Sequence, residues 1–390
     1  MSRLTVPLPV NDVATLRRRR SAKWRLHGPD ILPLPVAEMD FSLAPAVQDA
    51  LAEAVQRSDT GYAIAAPELA EAMAGFAADR WGWQIDPALT APATDVGVGC
   101  VDLLRALCDP GDTVLVSPPV YPPFYHWVGE VDAKLAEAPL RQQSSGQSAG
   151  QWRLDLDALA DAFAARPRVY LLCNPANPVG TVHTPEELAE VARLAYEHGV
   201  TVISDEIHAP LVLPGAQFTP FLTVPGAAEV GLSMVSASKA WNLAGLKCAL
   251  VVAASQRMRA IIERRPPDAV GRTGHFGVLA SIAALTDGVE WLDALVATLA
   301  QRREQLGVLL GGQLPQVHWS CPQATYLAWL DCREIGLGVE PQEYFLTHAK
   351  VALEPGPAFG SLGSGWVRLN FGTSEEVVSQ AVRRMAAALA

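Results

Sequence analysis

Short, fully apolar runs alternate with helical segments through the first two thirds of this 390-residue chain. A strand that is apolar at every position is buried on both faces, whereas a half-exposed strand alternates apolar and polar residues. Strands of this kind, separated by helices, indicate an α/β fold with a mostly parallel sheet covered by helices on both sides. The predicted strands are residues 113–116, 169–173, 200–204, 232–236 and 248–253.

Helical periodicity marks the intervening segments. We predict helices at residues 45–57, 68–81, 101–107 and 185–198. The last has the clearest ends, because Thr184 can cap it, Pro185 occupies its first position and Gly199 follows it.

The regular alternation of apolar strands and helices ends after about residue 275. Residues 279–310 predict one long helix or a broken pair, and shorter strands follow at residues 325–330, 351–353 and 367–370. A helix from Pro341 and a final helix from Ser374 complete this part. We predict an N-terminal segment (1–45) that joins a small α+β domain (281–390), and a large domain (46–280) between them.

Polar residues follow three of the predicted strands directly. Asn174 and Asn177 follow one, Asp205 and His208 a second, and residues 236–239 a third. Ligands of open α/β sheets bind beyond the carboxyl ends of the strands. The sequence therefore predicts one site at this edge.

Lys239 is the most informative of these residues. A lysine near a strand end is ordinarily exposed, but small and apolar residues flank this one, which indicates a pocket. Desolvation disfavours an ammonium and makes the amine a better nucleophile and base. The hydroxyls of Ser236 and Ser238 either belong to an ordinary turn or donate hydrogen bonds to a phosphate. Asp205 either caps a turn or pairs with a pyridine nitrogen. Together they predict pyridoxal 5'-phosphate (PLP) as cofactor.

Three nearby side chains have two interpretations each. His208 is either close to the cofactor's ring hydroxyl or an ordinary loop histidine. Asn177 lies between two Asn-Pro steps, and its amide either contacts the cofactor or belongs only to a rigid turn. Tyr121, among prolines, either stacks on a planar ring or packs in the core.

Two further groups could bind anions. The amides of Val96, Gly97 and Val98 precede or open a predicted helix, and such amides can hold a phosphate. Arg368 lies in an apolar strand, where it needs an anionic partner. That partner is either a substrate carboxylate or an internal acid.

Composition excludes several classes of function. The net charge of −11 argues against general binding of nucleic acid or anionic membranes. The one basic run, residues 17–20, is a solvated segment or, less favoured, a polyanion site. The six cysteines have no metal-binding spacing, and we interpret them as reduced core residues. With no secretory signal and no membrane-spanning run, we expect a cytoplasmic protein.

Taken together, these motifs resemble the fold type I PLP enzymes, the aspartate aminotransferase superfamily (class I/II), over nearly the whole chain. Within it, they are most similar to the cystathionine β-lyase (C-S lyase) branch of the MalY/PatB type. The motifs are PVAEMDF at residues 35–41, Gly61-Tyr62, PVYPPF at 119–124, LCNPANPVG at 172–180, SDEIH at 204–208, SKAWNLAGL at 238–246 and EWLD at 290–293.

The resemblance implies a fold and a role for each residue. It implies a large domain with a seven-stranded sheet and a homodimer in which Tyr62 reaches the cofactor phosphate of the neighbouring subunit. Lys239 would form the Schiff base and move the Cα proton, and Arg368 would bind the substrate carboxylate. Lys247 would join Val96, Gly97, Val98, Ser236 and Ser238 around the phosphate. Asp205, Asn177, His208 and Tyr121 would contact the ring, and Asn177, Tyr121 and Glu38 the substrate.

The implied activity is a carbon–sulfur β-lyase acting on L-cystathionine or a related cysteine S-conjugate. An aminotransferase shares the same chemistry at Cα and is the second hypothesis; a non-catalytic sensing domain is the third. The chain departs from the family at Trp241, and at Glu38, where aspartate is usual. We expect both residues to shape the substrate side of the site.

Overall fold

The computed structural model describes residues 8–64, 67–144 and 150–390. The described strands, in chain order, are β1 (Leu32–Pro33), β2 (Thr90–Ala93), β3 (Thr113–Val116), β4 (Lys134–Glu137), β5 (Arg141–Gln142), β6 (Trp152–Arg153), β7 (Val169–Cys173), β8 (Thr201–Asp205), β9 (Gly231–Val235), β10 (Ala249–Val252), β11 (His318–Trp319), β12 (Leu327–Asp331), β13 (Val351–Ala352), β14 (Glu354–Pro355) and β15 (Trp366–Asn370).

The described α-helices are α1 (Val13–Leu16), α2 (Ala22–Arg25), α3 (Pro45–Gln56), α4 (Pro67–Trp81), α5 (Val96–Leu107), α6 (Pro123–Gly129), α7 (Leu156–Ala164), α8 (Pro185–His198), α9 (Gln256–Ile262), α10 (His275–Thr286), α11 (Val289–Gln313), α12 (Pro341–Tyr344) and α13 (Glu375–Leu389). A π-helical turn, Phe345–Ala349, continues α12. Of these described helices, none is long and apolar enough to cross a membrane.

A seven-stranded sheet organises the molecule, in the order β2-β10-β9-β8-β7-β3-β4. β3, β4, β7, β8 and β9 pair in parallel, and β10 is antiparallel to both of its neighbours. Two hydrophobic clusters bury the two faces of the sheet. The prediction of an α/β fold with a mostly parallel seven-stranded sheet is confirmed.

A second, antiparallel sheet has the order β11-β12-β15-β14. β1 pairs in parallel with β13, so the N-terminal segment packs beside the C-terminal part of the chain. These pairings support the domain division at residues 1–45, 46–280 and 281–390, which we keep as a proposal.

Local signals predicted α8 well. It has the predicted bounds, a complete capping box between Thr184 and Glu187, and Gly199 in the left-handed conformation. The polar stretch QQSSGQSAG at residues 142–150 predicts a loop or hairpin. β5 and β6 pair as a hairpin, but residues 145–149 lie outside the described part of the chain.

The broken-pair alternative for residues 279–310 is the one found, because α10 ends before Gly288 and α11 begins after it. The Gly288 carbonyl accepts a 3.0 Å hydrogen bond from the Trp241 indole, and a β-carbon on Gly288 would lie 2.8 Å from that indole nitrogen. Trp241 is fully buried and packs edge-on against Phe76. The expectation that Trp241 shapes the substrate side is therefore wrong, since it fixes this helix break instead.

The interpretation of all six cysteines as core residues was also too broad. All six are free, and Cys100, Cys173, Cys248 and Cys332 are buried, but Cys108 is half-buried and Cys321 is exposed. Cys321 lies in the connection between β11 and β12.

Candidate active site

A cavity of about 340 Å3 opens at the carboxyl ends of β7, β8 and β9. Most of the predicted site residues line it: Val96, Gly97, Tyr121, Asn177, Asp205, His208, Ser238, Lys239 and Lys247. The predicted convergence at one edge of the sheet is thus present in the structure.

Lys239 follows β9 and extends its amine into the cavity. Its Nζ donates to the Ala37 carbonyl at 3.1 Å, and the same oxygen accepts from the Tyr326 hydroxyl at 2.8 Å. Burial, with a smaller effect of Arg368, lowers the pKa of Lys239 to about 8. Roughly a tenth of this amine is therefore neutral at pH 7, far more than of an ordinary lysine, and the neutral form is the one that a nucleophile or base requires.

Asp205 ends β8 and is 3% exposed. One carboxylate oxygen accepts from the Ile207 amide at 3.1 Å. Within the described residues it forms no ion pair, and burial raises its pKa to about 6 although the Ile207 amide and Lys239 oppose the rise. A cationic ligand would stabilise the negative charge of a buried carboxylate of this kind.

Arg368 and Asn177 meet at the side of the cavity. Arg368 donates to the Asn177 side-chain oxygen at 3.0 Å and to the Pro35 carbonyl at 2.8 Å, and Glu354 is 3.7 Å away. Its Nε is buried without a hydrogen-bond partner among the described residues. The internal acid is therefore present as Glu354, and binding of a substrate carboxylate stays a prediction.

The opposite end of the cavity presents several donors. α5 begins at Val96, and the Asp95 side chain caps it by accepting from Val98 at 2.7 Å. The second Asp95 oxygen binds Lys247 Nζ at 2.8 Å. A β-carbon on Gly97 would lie 3.1 Å from Trp127, so glycine keeps this end open. Helix-start amides beside a lysine form an anion site.

Ser236 and Ser238 have different positions at this end. Ser236 is 5% exposed and donates to the Cys248 carbonyl at 2.7 Å, which commits its proton. It also contacts the Ser238 hydroxyl at 2.9 Å. Ser238 lines the cavity, so it is the serine placed to donate to an anion.

Tyr121 and His208 face the cavity with few polar partners. Tyr121 packs edge-on against Trp127 at 6.0 Å, and burial raises the pKa of its hydroxyl to about 12. Burial likewise lowers the pKa of His208 to about 3, and its Nδ1 has no partner among the described residues. The imidazole is neutral, with one nitrogen free for a ligand.

Five predicted site residues do not line the cavity: Glu38, Tyr62, Val98, Ser236 and Arg368. Tyr62 is 89% exposed, as a residue that contacts another subunit would be in an isolated chain. Glu38 is half-buried, and its charge raises the pKa of Lys239, so it lies near the amine. The sequence interpretation gave no role to Ala37, Trp127, Ile207 and Tyr326. Ala37 and Ile207 lie within quoted motifs but contribute only backbone groups, and Trp127 and Tyr326 lie outside every quoted motif.

Residues 35–41, which we call the strap, cross over Lys239. Each carbonyl of the strap accepts from at least one side chain, and the donors come from distant parts of the chain. These donors are Arg19, Lys23, Lys239, Asn242, Tyr326, Arg368 and Asn370. Arg19 bonds three strap carbonyls, so the interpretation of residues 17–20 as a merely solvated run is wrong at this position.

Residues 29–385 match the family described as aminotransferase class I and II. The chain belongs to this family. A Mycobacterium tuberculosis protein, provisionally named a cystathionine beta-lyase, is 46% identical over 98% of this chain and 99% of its own length. Cystathionine beta-lyase PatB of Bacillus subtilis is 34% identical, covering 95% and 97%. The crystal structure of a provisionally assigned PLP-dependent beta-cystathionase from Corynebacterium diphtheriae superposes with a TM-score of 0.91 at 36% identity, covering 98% and 99%.

The cavity fits the PLP of this class I and II family. In the part of the chain that the structure describes, the buried Asp205 carboxylate has no ion pair and a buried nitrogen of His208 has no partner. The start of α5, Ser238 and Lys247, which is paired with Asp95, line the same cavity and offer hydrogen-bond donors. These features match a pyridine nitrogen, a ring hydroxyl and a phosphate, respectively.

The lowered pKa of Lys239 predicts how the apoprotein captures PLP. Only the neutral amine attacks the aldehyde, so the capture rate should rise about tenfold per pH unit below pH 8 and level off above it. Stopped-flow absorbance of the forming Schiff base measures this rate. Free N-acetyl-lysine, whose rate keeps rising beyond pH 10, is the control; the same continued rise in the protein would contradict the lowered pKa.

Proposed function

We propose that this protein is a PLP-dependent carbon–sulfur β-lyase. It cleaves L-cystathionine or a related cysteine S-conjugate, with water, to a thiol, pyruvate and ammonia. The observation that carries the proposal is an amine of lowered pKa, Lys239, within electrostatic reach of a buried Asp205, in a chain 34–46% identical to proteins named cystathionine beta-lyase.

The cofactor is proposed to lie between two sets of residues. Val96, Gly97, Ser238 and Lys247 would hold its phosphate, with Ser236 supporting Ser238. The expectation that Val98 also binds the phosphate is not kept, because its amide donates to Asp95. Asp205 would pair with its ring nitrogen, Asn177 and His208 would face its ring hydroxyl, and Tyr121 would stack on the ring. When bound, PLP accepts the electron pair that remains at Cα after deprotonation.

The chain's own groups supply the remaining chemistry. Lys239 Nζ removes the Cα proton of the substrate, and burial favours the neutral amine that does so. Arg368 binds the substrate carboxylate with its free Nε, which orients Cα toward the amine. The C–S bond breaks as its electron pair leaves with sulfur, and a proton converts the thiolate to the thiol.

A homodimer is proposed on the exposure of Tyr62. This ring is 89% exposed, and the neighbouring Ile64 is 73% exposed. Exposed large apolar side chains of this kind mark interaction surfaces. In the proposed dimer, Tyr62 contacts the cofactor phosphate bound by the partner chain.

The activity test needs only purified holoenzyme and L-cystathionine. We expect pyruvate, ammonia and homocysteine in equal amounts without added 2-oxo acid. An aminotransferase would instead require a 2-oxo acid and release no thiol, so a strict requirement for the acceptor would overturn the lyase proposal.

A further inference from the structure

The Ala37 carbonyl of the strap is the hydrogen-bond acceptor of the Lys239 amine. It accepts from Lys239 Nζ at 3.1 Å and from the Tyr326 hydroxyl at 2.8 Å. A carbonyl oxygen has two lone pairs, so these two donors use its accepting capacity. The direction of this one oxygen therefore decides where an N–H of the amine points.

Tyr326 immediately precedes β12 and packs beside the strap. Its side chain is fully buried, and its ring lies edge-on to His208 with the ring centres 6.4 Å apart. A β-carbon on Gly372 would lie 3.2 Å from this ring and 2.9 Å from the Met39 side chain, so glycine leaves room for the ring beside the strap. Burial raises the pKa of the Tyr326 hydroxyl, so this group remains a hydrogen-bond donor well above neutral pH.

The residues on either side of Ala37 are held by a different side chain. The Asn370 amide donates to the carbonyls of Val36 and Glu38, at 2.7 Å each. Among the described residues, Tyr326 is the only side chain besides the lysine itself that bonds the Ala37 oxygen. The direction of that oxygen therefore depends directly on the Tyr326 hydroxyl.

Both chemical tasks of Lys239 require an oriented amine. A neutral amine has two N–H groups and one lone pair, so holding one N–H at the Ala37 carbonyl restricts where the lone pair points. A reacting group held in one geometry reacts faster, because less freedom of motion remains to be lost in the transition state. We propose that Tyr326 is a positioning residue, which fixes the Ala37 carbonyl and thereby directs the Lys239 lone pair into the cavity. The proposal rests on Lys239 acting as nucleophile and base, as in the proposed function.

The geometry gives Tyr326 no direct part in the reaction. Its hydroxyl proton is committed to the Ala37 carbonyl, and its ring does not line the cavity. Arg368, the proposed carboxylate site, is held separately by the Asn177 side chain and the Pro35 carbonyl. Loss of the hydroxyl should therefore slow the steps that use the Lys239 amine and leave substrate affinity unchanged.

Capture of PLP by the apoprotein tests the proposal without any turnover. Tyr326→Phe keeps the buried ring and removes only the hydroxyl. At saturating PLP, we expect its rate of Schiff-base formation on the alkaline plateau to be roughly tenfold below that of wild type. The inflection should stay near pH 8, because burial and Arg368 lower the pKa of Lys239 and both remain. Stopped-flow absorbance measures the plateau and the inflection.

Two results of this experiment would overturn the positioning role. A plateau rate equal to that of wild type would show that the hydroxyl does not orient the amine. An inflection shifted toward that of free N-acetyl-lysine would show that the hydroxyl instead keeps water away from the amine, because hydration favours the ammonium.

Exchange of a Cα proton tests the same role in the base. L-Alanine has no leaving group on Cβ, so the holoenzyme in D2O should replace its Cα proton with deuterium whether it is a lyase or an aminotransferase. For Tyr326→Phe we expect the maximal exchange rate per bound PLP to fall roughly tenfold at an unchanged half-saturating concentration. Proton NMR measures this rate, and a raised half-saturating concentration with an unchanged maximal rate would contradict a role in orienting the base.

Tyr344→Phe is the matched control. The Tyr344 hydroxyl also donates to a backbone carbonyl, that of Ala388 at 2.6 Å, but it joins α12 to α13 and does not line the cavity. This variant should match wild type in both measurements. Neither measurement depends on release of a thiol. Failure to form pyruvate from L-cystathionine would overturn the lyase proposal alone, whereas wild-type rates in Tyr326→Phe would overturn only the positioning role.

Discussion

Replacing Lys239 with alanine should reduce pyruvate release from L-cystathionine by at least about 10^3-fold, because it removes both the nucleophile for the cofactor and the base for the Cα proton. The amine is the group that contacts the Ala37 carbonyl in the cavity, and its lowered pKa suits both tasks. Steady-state kinetics with excess PLP measure the loss.

Lys134→Ala is the matched control, since Lys134 is an exposed lysine of β4. It should keep wild-type kinetics. Wild type should be yellow and lose this colour with borohydride, whereas Lys239→Ala should release its cofactor on dialysis. A Lys239→Ala protein with turnover within tenfold of wild type would remove Lys239 from the chemistry.

Replacing Asp205 with alanine should lower kcat by about 10^2- to 10^3-fold, the usual effect of removing a preorganised charge that stabilises the reacting state. Asp205 is buried and without an ion pair among the described residues, so its charge is available to the cofactor's ring nitrogen. Asp205→Asn should show a similar loss, because an amide keeps the volume but not the negative charge.

An exposed aspartate supplies the comparison for this prediction. Asp161→Ala, on α7, should leave kcat unchanged. Circular dichroism of all three variants checks that the fold is intact. If Asp205→Asn retained kcat within threefold, the charge of Asp205 would not be part of the reaction.

Local and tertiary signals explain what the sequence could predict of the fold. α8 was predictable to the residue because Thr184, Pro185 and Gly199 act within one turn of its ends. The break between α10 and α11 was left open, because it depends on Trp241, some 47 residues earlier in the chain, which bonds the Gly288 carbonyl. The hydrophobic pattern of residues 279–310 carries no information about that contact.

The same distinction holds for the site. Asn177, Asp205 and Lys239 could be predicted to converge, because each follows a strand of one parallel sheet. Ala37 and Tyr326 could not, because a backbone carbonyl and a buried ring enter the site only through the packing of distant segments. The roles assigned to the individual site residues remain predictions, although the structure brings most of them to one cavity.

The strap has a consequence for assembly of the enzyme. Its carbonyls are held by side chains that span the chain from Arg19 to Asn370. A fragment limited to residues 46–280 would contain Lys239, Asp205 and the start of α5, but it would lack the strap, Arg368 and Tyr326. The Lys239 amine therefore gains its final environment only when the strap, Tyr326 and Arg368 have been synthesised and folded against the sheet.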